Sequence, residues 1–271
     1  MNPIQNALGE TGLAALGRPL LYRARDAYFQ ARALPNRWHH RAVVGDFEVS
    51  FPTSNWFEYR RAKHLAGERT VLEALLSDLD GDEVVWDVGA NVGMYTCFVA
   101  QALPSGLVVG FEPEPANLGR LRTNLASNAP RSTWRTRGVA LSDRDGTTRL
   151  ASDHRPADPA APGTGHYYLS DSEGTEVACR RGETLVAEGC PAPDVLKIDV
   201  QGSEHRVLDG LGDHLARVER IYAELHTEKC RRYGTTVEAV EATLESAGFS
   251  LSTFGEPDHS RTGVYHVLAS R

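Results

Sequence analysis

A strand, glycine turn, helix and second strand follow one another over residues 84–112, and little besides a parallel α/β sheet accommodates that order. Val84-Val85-Trp86-Asp87-Val88 is an apolar run with one acid near its end, long enough for a buried strand. The turn Gly89-Ala90-Asn91-Val92-Gly93 follows, then an apolar helical stretch through Ala102, then Leu107-Val108-Val109-Gly110-Phe111 as a second strand. Parallel strands need a crossover of this kind, and the crossover helix covers one face of the sheet. The pattern then repeats. Residues 115–128 read as a helix and 132–141 as a weaker third strand. Residues 195–200 form a fourth strand with a helix at 203–216, and residues 220–225 a fifth with a helix at 236–247. Residues 249–254 and 264–268 close the chain as two more strands with only a short turn region between them. The expected fold is therefore α/β: a Rossmann-like, doubly wound, mostly parallel sheet with an antiparallel edge element.

The flanking segments are read more coarsely. Residues 18–31 place Leu20, Leu21, Ala24, Ala27, Tyr28 and Ala31 at helical spacing. This is expected to be a helix packing on the main domain, with membrane-surface contact as the alternative. Residues 41–51 alternate around Gly45-Asp46 and predict a hairpin. Residues 56–78 read as helical, with Leu65, Val71, Leu72, Leu75 and Leu76 as the apolar face. The expected division is a helical and hairpin extension over 1–55 and a catalytic domain over 56–271. Residues 151–165 are rich in Pro, Ala and Gly without periodicity, and read as a mobile insertion or a lid.

Charge narrows the partners. The chain of 271 residues carries a formal net charge of −7, and there is no basic stripe with interleaved aromatics. Nucleic acid is therefore not an expected partner. Arg131, Arg135, Arg137, Arg180 and Arg181 read as solvated surface residues, with a local anion site as the alternative. Three of the 29 basic residues are Lys, which fits a high-GC or salt-adapted source better than a site. No run of 18 apolar residues is present. The four cysteines form no C-x-x-C pair, and the first residues lack a secretory pattern, so a cytoplasmic setting is expected.

The glycine turn points to a nucleoside ligand. Glycines between a strand and a helix let the backbone turn tightly and admit a ligand closely. Glu112 follows the second strand, 19 residues after Gly93, where a carboxylate accepts hydrogen bonds from the two ribose hydroxyls. A dinucleotide turn carries G-x-G-x-x-G, and here the middle glycine is replaced. Asp87, two residues before the turn, would repel a pyrophosphate but suits an ammonium group. The combination favours S-adenosylmethionine over NAD.

These residues resemble the FkbM family of S-adenosylmethionine-dependent methyltransferases over roughly residues 56–254. The resemblance rests on residues 87–96, on Phe111-Glu112-Pro113-Glu114-Pro115 followed by Leu121 and Asn124, and on Ala140-Leu141-Ser142-Asp143 with Gly146. It continues through residues 196–204 with Val207, Leu208 and Gly210, and through Ala223-Glu224-Leu225-His226. Gln201 departs from the pattern, since the family usually carries Glu there, and the exchange removes a charge beside the expected active centre. The resemblance implies a class I methyltransferase sheet and methylation of hydroxyls on sugars, glycan units or small metabolites. It implies that Asp87, Gly89, Asn91 and Gly93 surround the methionine part, Glu112 holds the ribose, and Ala140, Leu141 and Ser142 border the adenine. Tyr95 and Pro113 lie within the same motifs and complete the expected cofactor set, and Asp199 reaches the centre of the site.

Methyl transfer to a hydroxyl benefits from a general base beside the acceptor. Asp199 ends the fourth strand, and Glu224 and His226 share one face of the fifth by strand alternation, so these three are the catalytic candidates. Glu204 reads equally well as a first-turn helix acid, and His205 as a surface residue. Lys197 is expected to point away from the cofactor face. No metal is expected, although Asp199, Glu224 and His226 offer donors for a hard divalent ion. The alternatives are N- or carboxyl-methylation, an NAD-dependent oxidoreductase, or a non-catalytic nucleoside-binding protein.

Overall fold

In the computed structural model, residues 38–53, 56–152, 167–254 and 263–271 are described, together with Ala27, Tyr28 and Ala31. Most of the expected helix at 18–31 and residues 153–165 of the expected loop lie outside the described residues. The chain begins with a hairpin of β1 (His39–Val44) and β2 (Phe47–Pro52), closed by Gly45 and Asp46 between the paired Val44 and Phe47. Helices α1 (Trp56–His64) and α2 (Arg69–Ser77) follow. They are not continuous, because Leu65 and Ala66 both adopt positive φ, 48° and 55°, and bend the chain between them.

The expected βαβ succession is present as β3 (Val84–Val88), α3 (Met94–Ala102), β4 (Leu107–Phe111) and α4 (Pro115–Asn128). Helix α4 starts cleanly because Glu114 caps it, accepting a hydrogen bond from the Asn117 N–H at 2.6 Å, and Pro115 takes the first helical position. The expected single strand over 132–141 is split in two at Gly138 and Val139. Strand β5 (Trp134–Arg137) joins the main sheet, and β6 (Ala140–Leu141) leaves it. Next come β7 (Gly146–Ser152), β8 (Tyr167–Ser170), β9 (Thr175–Arg180) and the short α5 (Gly182–Ala187). The chain re-enters the main sheet through β10 (Val195–Ile198), α6 (Glu204–Leu211), β11 (Arg220–His226), α7 (Thr227–Cys230) and α8 (Val237–Ser246). It finishes with β12 (Ser250–Thr253) and β13 (Val264–Ser270).

The main sheet has seven strands in the order β12-β13-β11-β10-β3-β4-β5. All pair in parallel except β13, which is antiparallel to both neighbours. The antiparallel element thus sits one place in from the edge, and β12 forms the edge itself. Strand order reverses between β3 and β10, which opens the switch-point crevice at their carboxyl ends. Alternation assigns the two faces. Val85, Val108, Val195 and Tyr222 pack against α2, α3, α4 and the hairpin. Trp86, Val109, Leu196 and Ile221 pack against α5, α6 and α8 on the other face.

A second sheet of four strands, β6-β9-β7-β8, was not expected from the sequence. Its small core joins Ala140, Leu150, Leu169 and Val177, with Tyr167 and Tyr233 against it. Tyr233 ties this sheet to the body: its hydroxyl donates to the Leu169 carbonyl at 3.1 Å and accepts from the Leu169 N–H at 3.0 Å.

Candidate active site

The carboxyl ends of β3, β4 and β10 converge on a cavity that is partly open to solvent. Val88, Gly89 and Asn91 line it from the first turn, and Phe111, Glu112 and Pro113 from the second. Val139, Ala140 and Leu141 form one wall, and Asp199, Val200 and Gln201 come from the end of β10. The wall that sequence reading missed is Leu150, Tyr167, Tyr168 and Leu169, contributed by the second sheet. The alternating pattern of residues 175–180 between Gly174 and the next turn was the available signal for that sheet.

Local backbone chemistry explains this convergence. Gly89 has φ +82°, and a Cβ there would lie 1.9 Å from the Asp199 carbonyl oxygen, so only glycine lets the two turns meet. The Gly89 and Ala90 N–H groups both donate to the Phe111 carbonyl at 3.0 Å. Glu112 locks the two turns together from the other side: its carboxylate accepts from the N–H groups of Asn91 and Glu114, each at 2.8 Å. Burial pushes the Glu112 carboxyl up to about 7.

Beneath the cavity lies a group of buried ionisable side chains. Lys197 is 6% exposed, with Nζ 3.9 Å from Asp87 Oδ1 and 3.8 Å from Asp199 Oδ2. The expectation that Lys197 points away is corrected here. Residues 195, 197 and 199 share one face by the two-residue period, and Lys197 is the register partner of Asp87 on the neighbouring strand. Asp87 is fully buried beside it and accepts a 2.5 Å hydrogen bond from the Thr96 hydroxyl. Burial raises the Asp87 carboxyl, and Lys197 opposes that rise. For Asp199, burial is outweighed by Lys197, His226 and a 2.7 Å hydrogen bond donated by Gln201 Nε2, so its carboxyl stays well below the ordinary range.

Gln201 bridges onward, since its Oε1 accepts from Lys229 Nζ. An amide can donate to Asp199 and accept from Lys229 at once, whereas an ionised Glu at this position could only accept. Glu204 is a first-turn helix acid, and it is also fully buried. Its Oε1 accepts from the Gly202 N–H at 2.9 Å and lies 3.2 Å from His226 Nδ1. The other ring nitrogen of His226 then faces Asp199 Oδ1 at 3.9 Å and Glu224 Oε1 at 3.8 Å. Burial disfavours the charged imidazole, but Glu204 and Asp199 raise its pKa overall.

The structure thus gathers Gly89, Asn91, Glu112, Pro113, Ala140, Leu141 and Asp199 around one cavity. It sets the other candidates behind that surface. Gly93 precedes α3 against Leu121, and buried Ser142 donates to Asp143. Tyr95 packs under Lys197, 4.9 Å from its ring centroid to Nζ. Glu224 and His226 stand behind Asp199. His205 is half-buried beside the Tyr233 ring rather than exposed. Arg180 and Arg181 are ion-paired with Asp145, Glu188 and Glu183 on the second sheet and α5.

Comparison with known proteins decides the family. The methyltransferase FkbM domain profile matches residues 87–251, which contain every wall of this cavity. The chain belongs to the FkbM methyltransferase family. A hexuronic acid methyltransferase, AglP, of Haloferax volcanii is 31% identical over 188 residues, covering 68% of this chain and 73% of that protein. The 31-O-demethyl-FK506 methyltransferase FkbM of Streptomyces tacrolimicus is 31% identical over 223 residues, covering 72% and 83%. The 2-O-methyltransferase NoeI of Sinorhizobium fredii is 27% identical over 156 residues, covering 53% and 63%.

This FkbM-family enzyme has a mostly parallel α/β sheet, and S-adenosylmethionine is its cofactor. The residues present fit that cofactor: a buried carboxylate at the tip of β4, an apolar wall beside it, and a second carboxylate at the end of β10. No helix among the described residues is long and apolar enough to cross a membrane.

Proposed function

We propose that this enzyme methylates a hydroxyl oxygen on a sugar, a glycan unit or a small metabolite. Relatives acting on a hexuronic acid and at a 2-O position support the reading. The observation that carries it is Asp199, a carboxylate that lines the cavity and is held ionised by Lys197 behind it. When bound, S-adenosylmethionine supplies an electrophilic methyl group on a sulfonium. Glu112 accepts hydrogen bonds from the ribose, Gly89 and Asn91 border the methionine part, and Pro113, Ala140 and Leu141 pack against the adenine. Gly93, Ser142 and Tyr95 support these surfaces from behind.

Asp199 accepts the hydrogen bond of the acceptor hydroxyl and then its proton. A low carboxyl pKa does not disqualify it. As the new C–O bond forms, the hydroxyl oxygen becomes positive and its proton strongly acidic, so even a weak base takes it late in the transfer. Gln201 fixes one oxygen of Asp199, and Glu204 orients His226 so that its Nε2 faces the same carboxylate. The second sheet closes the cavity and limits water beside the reacting groups.

The test combines calorimetry with product analysis. Glu112→Gln is expected to weaken S-adenosylmethionine binding by roughly 10- to 100-fold, the loss of one or two charge-assisted hydrogen bonds. Asp199→Asn is expected to abolish methyl transfer to sugar hydroxyls. Unchanged cofactor affinity in the first variant would remove the ribose assignment. A methyl ester or N-methyl product from the wild-type enzyme would refute hydroxyl methylation.

A further inference from the structure

Glu224 is 7% exposed, yet among the described residues its carboxylate takes part in no hydrogen bond. A buried carboxylate left that way is costly, and such groups are ordinarily paired or bound to a cation. Its surroundings are specific. On the antiparallel ladder between β11 and β13, Glu224 stands opposite His266, whose Nε2 is 4.0 Å from Glu224 Oε2. The same Nε2 is 3.7 Å from Glu68 Oε2, and it is a buried polar atom without a hydrogen-bond partner. Both separations are too long for hydrogen bonds. They are the spacing of two donors that share one ion about 2 Å from each.

Three further observations point the same way. Glu68 arrives from a different element, at the start of α2, because Leu65 and Ala66 hold positive φ and turn the chain toward the sheet. Two successive non-glycine residues in that region are strained, and such strain collects at functional sites. The donor atoms of Glu68, Glu224 and His266 all lie within 4.8 Å of one another. Three buried carboxylates, Glu68, Asp87 and Glu224, and the half-buried Asp199 crowd one region, where Lys197 is placed between Asp87 and Asp199.

We propose that Glu68, Glu224 and His266 bind one divalent cation. The donor set of one imidazole nitrogen with carboxylate oxygens suits a borderline transition ion such as Mn²⁺ or Zn²⁺ better than Mg²⁺. The ion neutralises carboxylate charge in this region and pins α2 to the two strands. Its site shares Glu224 with the neighbouring group Asp199, Glu224 and His226, whose donor atoms also lie within 4.8 Å of one another, but the unpartnered Nε2 of His266 places the ion on the Glu68 side. The proposal does not rest on the hydroxyl-methylation reading.

The experiment uses the full chain, stripped with a chelator and titrated with Mn²⁺ alone, without cofactor or acceptor. Electron paramagnetic resonance is expected to show one bound ion per chain, with the pulsed spectrum carrying coupling to an imidazole nitrogen. His266→Gln is expected to remove that nitrogen coupling and to weaken binding by at least about tenfold. His64→Gln, on the exposed end of α1, leaves both unchanged. The wild-type melting temperature is expected to rise on adding Mn²⁺. Absence of bound Mn²⁺ and Zn²⁺ at millimolar concentration overturns the site. So does a bound ion without nitrogen coupling in the wild-type spectrum, which needs no variant to be read. Coupling that survives His266→Gln but disappears in His226→Gln moves the ion to the Asp199 side and equally refutes the assignment.

Discussion

With the ribose role proposed for it, Glu112 would do two jobs with opposite pH dependence. Its folded pKa is raised by burial to about 7 from an ordinary 4.5. In the free enzyme this contributes stability that is fully present below the ordinary value and is lost as pH rises through about 7. In its proposed role Glu112 binds the ribose in the ionised form, so cofactor affinity is expected to rise over the same range. The cofactor-induced increase in melting temperature is therefore expected to be larger at pH 8 than at pH 6. An equal increase at both would show that the carboxyl is already ionised at pH 6. Lys197 gives a second residue-scale test. Lys197→Met leaves buried Asp87 and the neighbouring Asp199 without their cation, and a loss of about 3 kcal/mol is expected in denaturant unfolding. The two-residue period of β10 places Lys197 on the face of Asp199, and its pairing opposite Asp87 is set by strand register rather than by any local pattern.

At the scale of elements, the turns that meet at the switch point depend on absent side chains. Gly89→Ala places a Cβ against the Asp199 backbone at 1.9 Å and forces a positive φ on alanine. A destabilisation of about 2–4 kcal/mol is expected, with cofactor binding lost alongside, checked by thermal unfolding and calorimetry. The strand and helix pattern from residue 84 onward was legible because a buried parallel strand writes itself as a short apolar run with a glycine turn after it. The second sheet was not legible. Its strands are short and mixed in polarity, and burial comes from packing onto β6 and Tyr233 rather than from a continuous hydrophobic face. The split of 132–141 into β5 and β6 escaped for the same reason, because strand propensity does not say which sheet a strand joins.

At the scale of the molecule, the cavity proposed to hold the cofactor is shared between two sheets that one residue helps to hold together. Tyr233→Phe removes both hydrogen bonds to Leu169 and leaves a backbone N–H and carbonyl without that partner. Stability is expected to fall by about 1–3 kcal/mol, with a several-fold weaker cofactor dissociation constant, since Leu169 lines the cavity. Unfolding curves and calorimetry on the same sample separate the two effects. If stability fell while affinity held, the second sheet would be a support for the fold rather than a working wall of the site.

Sequence alone determined the parallel sheet, the glycine turn and the two acids that line the cavity, because each depends on local periodicity or on a residue type at a strand end. Tertiary structure decided the rest. The side chains of Lys197, Glu204 and Glu224 acquire their roles only when register and helix packing bring buried charges within a few ångströms, and the Tyr167–Leu169 wall only when the second sheet folds over the first. Those contacts join residues far apart in the chain, and no local pattern records them.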